Sequence, residues 1–200
     1  MAKMDPEDLC AGLDEVGMGA LAGPLVVAVT AFPISMKPIP GVRDSKKLTR
    51  LKREQLVPEI MRQAAFVNFG YASARFIDQN GMHRAWNHAA CMALEGIPRL
   101  HLLIIDGERT VDGWDRNGSG VLVEPKADDS YWEVSAASIV AKVMRDKDMV
   151  QMAKNWPAYY FTRNVGYGTQ DHYAALRAHG PIEGLHRELF LRKFRAKLEQ

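Results

Sequence analysis

The run Leu25-Val-Val-Ala-Val-Thr-Ala-Phe32 carries no charge and stands between Pro24 and Pro33. An uninterrupted, valine-rich run of this length reads as a strand covered on both faces, because a strand with one wet face would alternate. Leu9 to Asp14 is a second such run, stopped by Gly17 and Gly19, and Leu102 to Ile105 is a third, ending at Asp106. Helices must cover such a sheet on both sides, and the intervening sequence offers them. Thr49 to Ala65 reads as a helix with Thr49 as N-cap, which Pro58 is expected to kink or divide. Phe66 to Ala74 alternates as a further strand. Met82 to Leu94 is helical in pattern, with Met82, Trp86, Ala89, Ala90 and Ala93 along one face. Thr110 to Gly120 reads as loop, Val121 to Val123 as a last short strand and Ser135 to Met152 as a long helix. After the aromatic, glycine-rich stretch Trp156 to Thr169, two more helices are expected, near Asp171 to Ala178 and Glu183 to Lys197. This order predicts an α/β fold with antiparallel hairpins early, a parallel part later, and a site where strand ends meet a topological switch.

With 200 residues and no repeat or long linker, the chain is expected to form one domain, residues 1–200, with residues from about 156 onward as a C-terminal helical extension. The formal charge is only +2, so any nucleic-acid contact has to come from local rather than bulk charge. Cys10 and Cys91 are far apart and in no paired motif, which argues against a disulfide scaffold or a cysteine zinc site, and both are read as small buried hydrophobes. The start, Met-Ala-Lys-Met-Asp-Pro-Glu-Asp, has acids where an export signal needs bases. The most apolar stretch, Ala20 to Ile34, is too short and too broken by Gly23, Pro24 and Pro33 to span a bilayer. A soluble, cytoplasmic protein without membrane contact is expected.

Four acids follow the apolar runs: Asp14 and Glu15 after the first, Asp106 after the third, and Asp128 before the long helix. Carboxylates gathered at buried strand ends repel one another unless a counter-ion joins them. Hard divalent cations are held by such oxygen clusters together with substrate phosphates, and two of them can drive phosphodiester cleavage. Each acid alone has a plainer reading. Asp128 would cap the helix, and Asp106-Gly107 would make a turn.

The segment Ala11-Gly-Leu-Asp-Glu-Val-Gly-Met-Gly-Ala-Leu-Ala-Gly-Pro24 closely resembles the opening motif of bacterial ribonuclease HII, the type 2 ribonuclease H family. The resemblance continues in order through Asp44-Ser-Lys-Lys-Leu48, Ile105-Asp106-Gly107, Lys126-Ala-Asp128, Ser135-Ala-Ala-Ser-Ile-Val-Ala-Lys-Val143, Arg145-Asp146, Gly166-Tyr-Gly-Thr169 and His186-Arg187. It implies a ribonuclease H-like mixed sheet flanked by helices, with a helical C-terminal segment. It also implies hydrolysis 5′ of a ribonucleotide, in RNA–DNA hybrids or in DNA duplexes carrying single ribonucleotides, with Mg²⁺ or Mn²⁺ as cofactor and a monomeric enzyme. By motif position, Asp14, Glu15, Asp106 and Asp128 match the family's metal-binding carboxylates. Gly17-Met18-Gly19 falls on its ribose-reading Gly-Arg-Gly loop, and Tyr167 on its junction-sensing tyrosine. Lys46 and Lys47 read as phosphate contacts or as a solvated pair. Tyr167 reads as an exposed stacking ring or as a core or turn tyrosine. Asp146 is explained by an ion pair with Lys142, and His186 is read as structural.

The chain departs from the family pattern at three places. Met18 stands where Arg is usual, Val165 where Lys is usual, and Glu188-Leu189-Phe190 where Arg-Ser-Phe is usual. Each lowers positive charge or polarity, and none removes a carboxylate. The last helix would set Leu185, Leu189, Phe190, Phe194 and Leu198 on one side, with Arg187, Arg192, Lys193, Arg195 and Lys197 forming a basic strip or a solvated face. Two rival functions stand beside the ribonuclease: a non-catalytic RNA–DNA hybrid-binding protein, and a DNA nuclease of the same broad fold.

Overall fold

The three apolar runs are strands in the computed structural model, whose described residues are 8–97, 100–114 and 118–192. The strands are β1 (Leu9–Val16), β2 (Leu25–Pro33), β3 (Phe66–Ala72), β4 (Leu102–Asp106) and β5 (Gly120–Glu124). They form one sheet in the order β3-β2-β1-β4-β5. The β1–β2 and β2–β3 pairs are antiparallel, and the β1–β4 and β4–β5 pairs are parallel. The early hairpins and later parallel part are as the sequence leads one to expect. The direction changes at β1, so β1 and β4, parallel neighbours in the middle of the sheet, have their C-terminal ends side by side.

Alternation along the strands sends side chains to two cores. Ala11, Leu13, Val27, Val29, Leu103 and Ile105 point to one face and are covered by helix α2 (Ala74–Leu94). The other face is covered by α4 (Trp132–Asn155), which packs in turn on α1 (Arg50–Gln63). Each fully buried aliphatic side chain in these layers contributes roughly 1.5–3 kcal/mol. Close approach of α4 needs Gly12, because a Cβ there would overlap the Glu133–Val134 backbone. Beside it, paired across the sheet, Thr30 donates its hydroxyl to the Glu133 carbonyl at 2.8 Å. A third cluster packs Leu21 and Ala22 against Met149, Phe161 and Leu176, joining the segment after β1 to α5 (Phe161–Asn164) and α6 (Gln170–His179).

Several expectations need correction. Pro58 does not divide α1, because it lies on the exposed side, where water can satisfy the carbonyl it frees. Thr49 is the N-cap as expected, accepting from Lys52 N. The helix expected from Met82 to Leu94 is there, but a further helical stretch not expected from the sequence precedes it, from Ala74, capped by Ser73 and set off by a break at Gly81 (φ 78°). Asp128 caps nothing: it sits inside a short helix of its own, α3 (Ala127–Ser130). Cys91 is exposed and Cys10 half-buried, so neither is the fully buried hydrophobe expected. Residues 183–185 form a turn, and helix resumes only at 188–192. Leu189 is therefore exposed while Phe190 packs inward. Lys193, Phe194, Arg195, Lys197 and Leu198 lie outside the described residues, as do the N-terminal acids up to Glu7.

Candidate active site

Adjacent residues of a strand face opposite ways, and this separates Asp14 from Glu15. Asp14 points to the α4 side, as Gly12 does, and is almost wholly buried. Glu15 points to the α2 side, where its Oε2 accepts a hydrogen bond from Trp86 Nε1 at 2.9 Å. The β1–β4 register pairs Leu13 with Ile105, so Asp106, one residue further, comes up beside Asp14 on the α4 side. Asp106 Oδ1 accepts from the Ala127 backbone N–H at 2.8 Å, which docks the start of α3. Asp128 is then carried into the same space, its carbonyl held by the Ser135 hydroxyl at 2.6 Å. Ligand oxygens of Asp14, Asp106 and Asp128 lie within 4.8 Å of one another. Glu15 stands beside this group of three rather than within it.

The cluster is electrostatically unsatisfied. Burial, helped by the neighbouring Glu15 and Asp106 charges, raises the Asp14 pKa to about 8. Glu15 is also raised, by burial and then by Asp106 against the pull of the Trp86 hydrogen bond. Asp128 is raised by burial, although Lys46 works the other way. Lys46 Nζ lies 3.2 Å from Asp128 Oδ2, with Asp14 and Asp44 also acting on it. Burial disfavours the ammonium, but these carboxylates outweigh it and the Lys46 pKa is raised. Three convergent carboxylates with no more than one lysine fit a hard divalent cation, which is all-oxygen in its preferences and supplies the missing positive charge. Lys47 is not part of this group; it pairs with Asp129 and, at 3.8 Å, with Asp44. Neither lysine is a free solvated cation.

A cleft of roughly 370 Å³ opens over the acids. Met18, Gly19, Lys46, Ser138, Lys142 and Tyr167 are among the residues that line it. Gly17 turns the chain with φ 93°, a conformation L side chains rarely adopt. Met18 is half-buried and its side chain packs against the α2-side core. Tyr167 is half-buried too, with Arg145 and Lys142 at 5.3 and 5.5 Å from its ring centre. It is thus neither a fully exposed platform nor a core residue.

The model of the ribonuclease HII family matches residues 11–193. The chain belongs to the ribonuclease HII family. Its sequence is 38% identical to ribonuclease HII of Thermosynechococcus vestitus over 181 residues, covering 90% of this chain and 83% of that one. It is likewise 38% identical to ribonuclease HII of Bacillus cereus, over 90% of this chain and 68% of that one. Among solved structures, ribonuclease HII of Archaeoglobus fulgidus, in a complex with PCNA, superposes with a TM-score of 0.75 at 26% identity, covering 90% of this chain and 94% of the other. The ribonuclease H2 of Pyrococcus horikoshii has the same fold, with a TM-score of 0.75 at 23% identity over 96% and 99% of the two chains.

Several residues of the site stand outside the acids and the glycine loop. Ser135, Ser138, Lys142 and Arg145 form a polar stripe at helical spacing along α4, and all four serve the cleft or its walls. That stripe was legible in the spacing. Arg187 was not: only the fold brings it under the Gly17–Gly19 loop, 170 residues away, where its Nη1 donates to the Gly17 carbonyl at 2.6 Å.

Proposed function

We propose that the chain is a metal-dependent endoribonuclease that hydrolyses the RNA strand of RNA–DNA hybrids and cuts 5′ of single ribonucleotides in duplex DNA, leaving 3′-hydroxyl and 5′-phosphate ends. The observation that carries this reading is the convergence of Asp14, Asp106 and Asp128 in a cleft of a ribonuclease HII fold. These three and Glu15 would hold Mg²⁺ or Mn²⁺. When bound, such cations activate the attacking water and stabilise the leaving oxygen of a phosphodiester.

The chain's own groups do the rest. The Gly17-Met18-Gly19 backbone lies against the 2′-hydroxyl, which is both donor and acceptor and is what distinguishes RNA from DNA. Tyr167 stacks near the sugar that follows. Lys46 and Lys47 exchange their carboxylate partners for phosphate oxygens, which positions the duplex without reading its sequence. The carboxylates, crowded without a cation, are relieved by binding one. We read the protein as a single domain with a C-terminal helical extension, working as a monomer in the cytoplasm. No helix among the described residues is long and apolar enough to cross a membrane.

The test is a DNA duplex carrying one ribonucleotide, an RNA–DNA hybrid and an all-DNA duplex, each incubated with Mg²⁺ and then Mn²⁺. Cleavage of the first two, 5′ of the ribonucleotide in the embedded case, is expected. Equal cleavage of the all-DNA duplex, or no cleavage of any, would overturn the reading.

A further inference from the structure

Arg145 on α4 and Arg187 in the C-terminal segment are both fully buried, and neither joins an ion pair among the described residues. Among the described residues, every hydrogen bond they make goes to a backbone carbonyl. Arg145 donates to Pro24 (2.9 Å), Ala22 (3.0 Å) and Val165 (2.8 Å). Arg187 donates to Gly23 (2.9 Å), Gly17 (2.6 Å) and Met18 (3.2 Å), and its Nη2 has no partner among the described residues. Burial pushes both guanidiniums below the usual arginine range, Arg187 to about 9, with Arg145 adding to the effect on Arg187.

Two buried cations that bond no carboxylate among the described residues are a poor way to stabilise a fold, since an apolar side chain of similar size would avoid the desolvation. What a guanidinium adds is a rigid, planar fork of donors that fixes several acceptors at set distances. The acceptors here fall on two segments only: the turn from Gly17 to Pro24, and Val165. The same segments are stitched by main-chain bonds from Leu21 N and Ala22 N to the Gly166 carbonyl, and from Arg187 N to the Leu21 carbonyl. Val165 is held at φ 42°, a left-handed conformation that a β-branched residue adopts only when its surroundings impose it. Arg145 supplies that constraint on one side of the peptide, and Gly166-Tyr167 follow on the other.

We infer that Arg145 and Arg187 are positioning residues: Arg145 clamps the Gly17–Pro24 turn to Val165, Arg187 holds the Gly17–Gly23 turn in shape, and together they fix the spacing between the group that meets the 2′-hydroxyl and the ring that meets the next sugar. This rests on the functional reading above. The spacing matters most at a single ribonucleotide, where one 2′-hydroxyl and one following deoxyribose have to meet the two elements at once. In a hybrid every nucleotide of the RNA strand carries a 2′-hydroxyl, so a shifted loop still finds one.

Wild type, Arg145→Lys and Arg187→Lys are compared as full chains on a single-ribonucleotide duplex and on an RNA–DNA hybrid, with melting curves recorded with and without Mg²⁺. Lysine keeps the charge and loses the fork. On the single-ribonucleotide duplex kcat is expected to fall on the order of 10- to 100-fold, as misplacement of reacting groups does, with KM changed less. The hybrid rate should fall by a smaller factor, and the Mg²⁺-induced rise in Tm should persist because the acids are untouched. Equal losses on both substrates, or no loss, would overturn the clamp. Amide hydrogen exchange on the wild type covers the case of variants that do not fold. Leu21, Ala22 and Gly23 are expected to exchange as slowly as the core of β1, and fast exchange there would also overturn the clamp. A wild type that cleaves neither substrate would instead overturn the ribonuclease reading itself.

Discussion

Asp14 carries a charge that the fold tolerates poorly on its own, being buried beside two further acids with its pKa pushed up to about 8. Asparagine keeps its shape and removes that charge. Asp14→Asn is therefore expected to abolish cleavage while leaving the metal-free protein at least as stable as wild type. Metal binds the folded wild type and raises its Tm by mass action, and the variant should show a smaller rise. Melting curves with and without Mg²⁺, beside a cleavage assay, measure both, and normal metal-dependent turnover in the variant would sink the four-carboxylate scheme. Met18 poses a different question. Its thioether packs against the α2-side core while its carbonyl is bonded to Arg187, so the side chain and the backbone of this residue do separate things. If ribose is read by the backbone, Met18→Arg should leave the ribonucleotide requirement intact. A guanidinium reaching from this half-buried position into the cleft would add a phosphate contact, which steepens the salt dependence of binding by up to about one released counter-ion. Binding titrations over a salt series decide it, with an unchanged slope showing that position 18 points away from the phosphates.

Among elements, the join between α6 and the segment 181–187 holds a buried relay of two imidazoles. Ile182 N donates to His186 Nδ1 at 2.9 Å, His186 Nε2 lies 3.0 Å from His172 Nε2, and His172 Nδ1 lies 2.9 Å from the Tyr167 carbonyl. One assignment satisfies all three contacts: His186 carries its proton on Nε2 and donates it to His172, which carries its own on Nδ1 and donates to Tyr167. Both rings must be neutral, because a second proton on either His172 Nε2 or His186 Nδ1 would set two donors face to face. Burial lowers both pKa values, and His186 falls from 6.5 to about 4 with the His172 ring contributing. The unfolded chain therefore binds more protons than the folded one between these values. Stability from the pair is complete above pH 6.5 and is lost as pH falls toward 4, by up to about 3 kcal/mol for His186 alone. Urea unfolding at pH 7.5, 6 and 5 should show this loss in the wild type and a shallower slope in His186→Gln. Equal slopes would mean that the pair stays solvated. Since the relay ends on the Tyr167 carbonyl, acid should loosen this tyrosine before the sheet gives way.

At the scale of the whole molecule, the sheet was readable because burial on two faces leaves a plain mark, charge-free runs between prolines and glycines. The hairpin-then-parallel order and the helix capped by Thr49 followed from patterns a few residues long. Local pattern failed where a contact from far away decided the outcome. Pro58 was harmless because its side of α1 faces water, Asp128 was placed by a bond from Ala127 to Asp106 rather than by capping α4, and residues 183–187 gave up helix to pair with Leu21 and Ala22. Likewise, only the period of a strand separates Asp14 from Glu15, and only the β1–β4 register decides which of them meets Asp106. By itself the sequence determined the elements, the chemistry present and the family, since propensity, periodicity and motif order are properties of short or ordered stretches. The tertiary structure alone decided which carboxylates converge and that two buried arginines hold the turns around them. Convergence depends on contacts between residues far apart in the chain, and no local pattern encodes those.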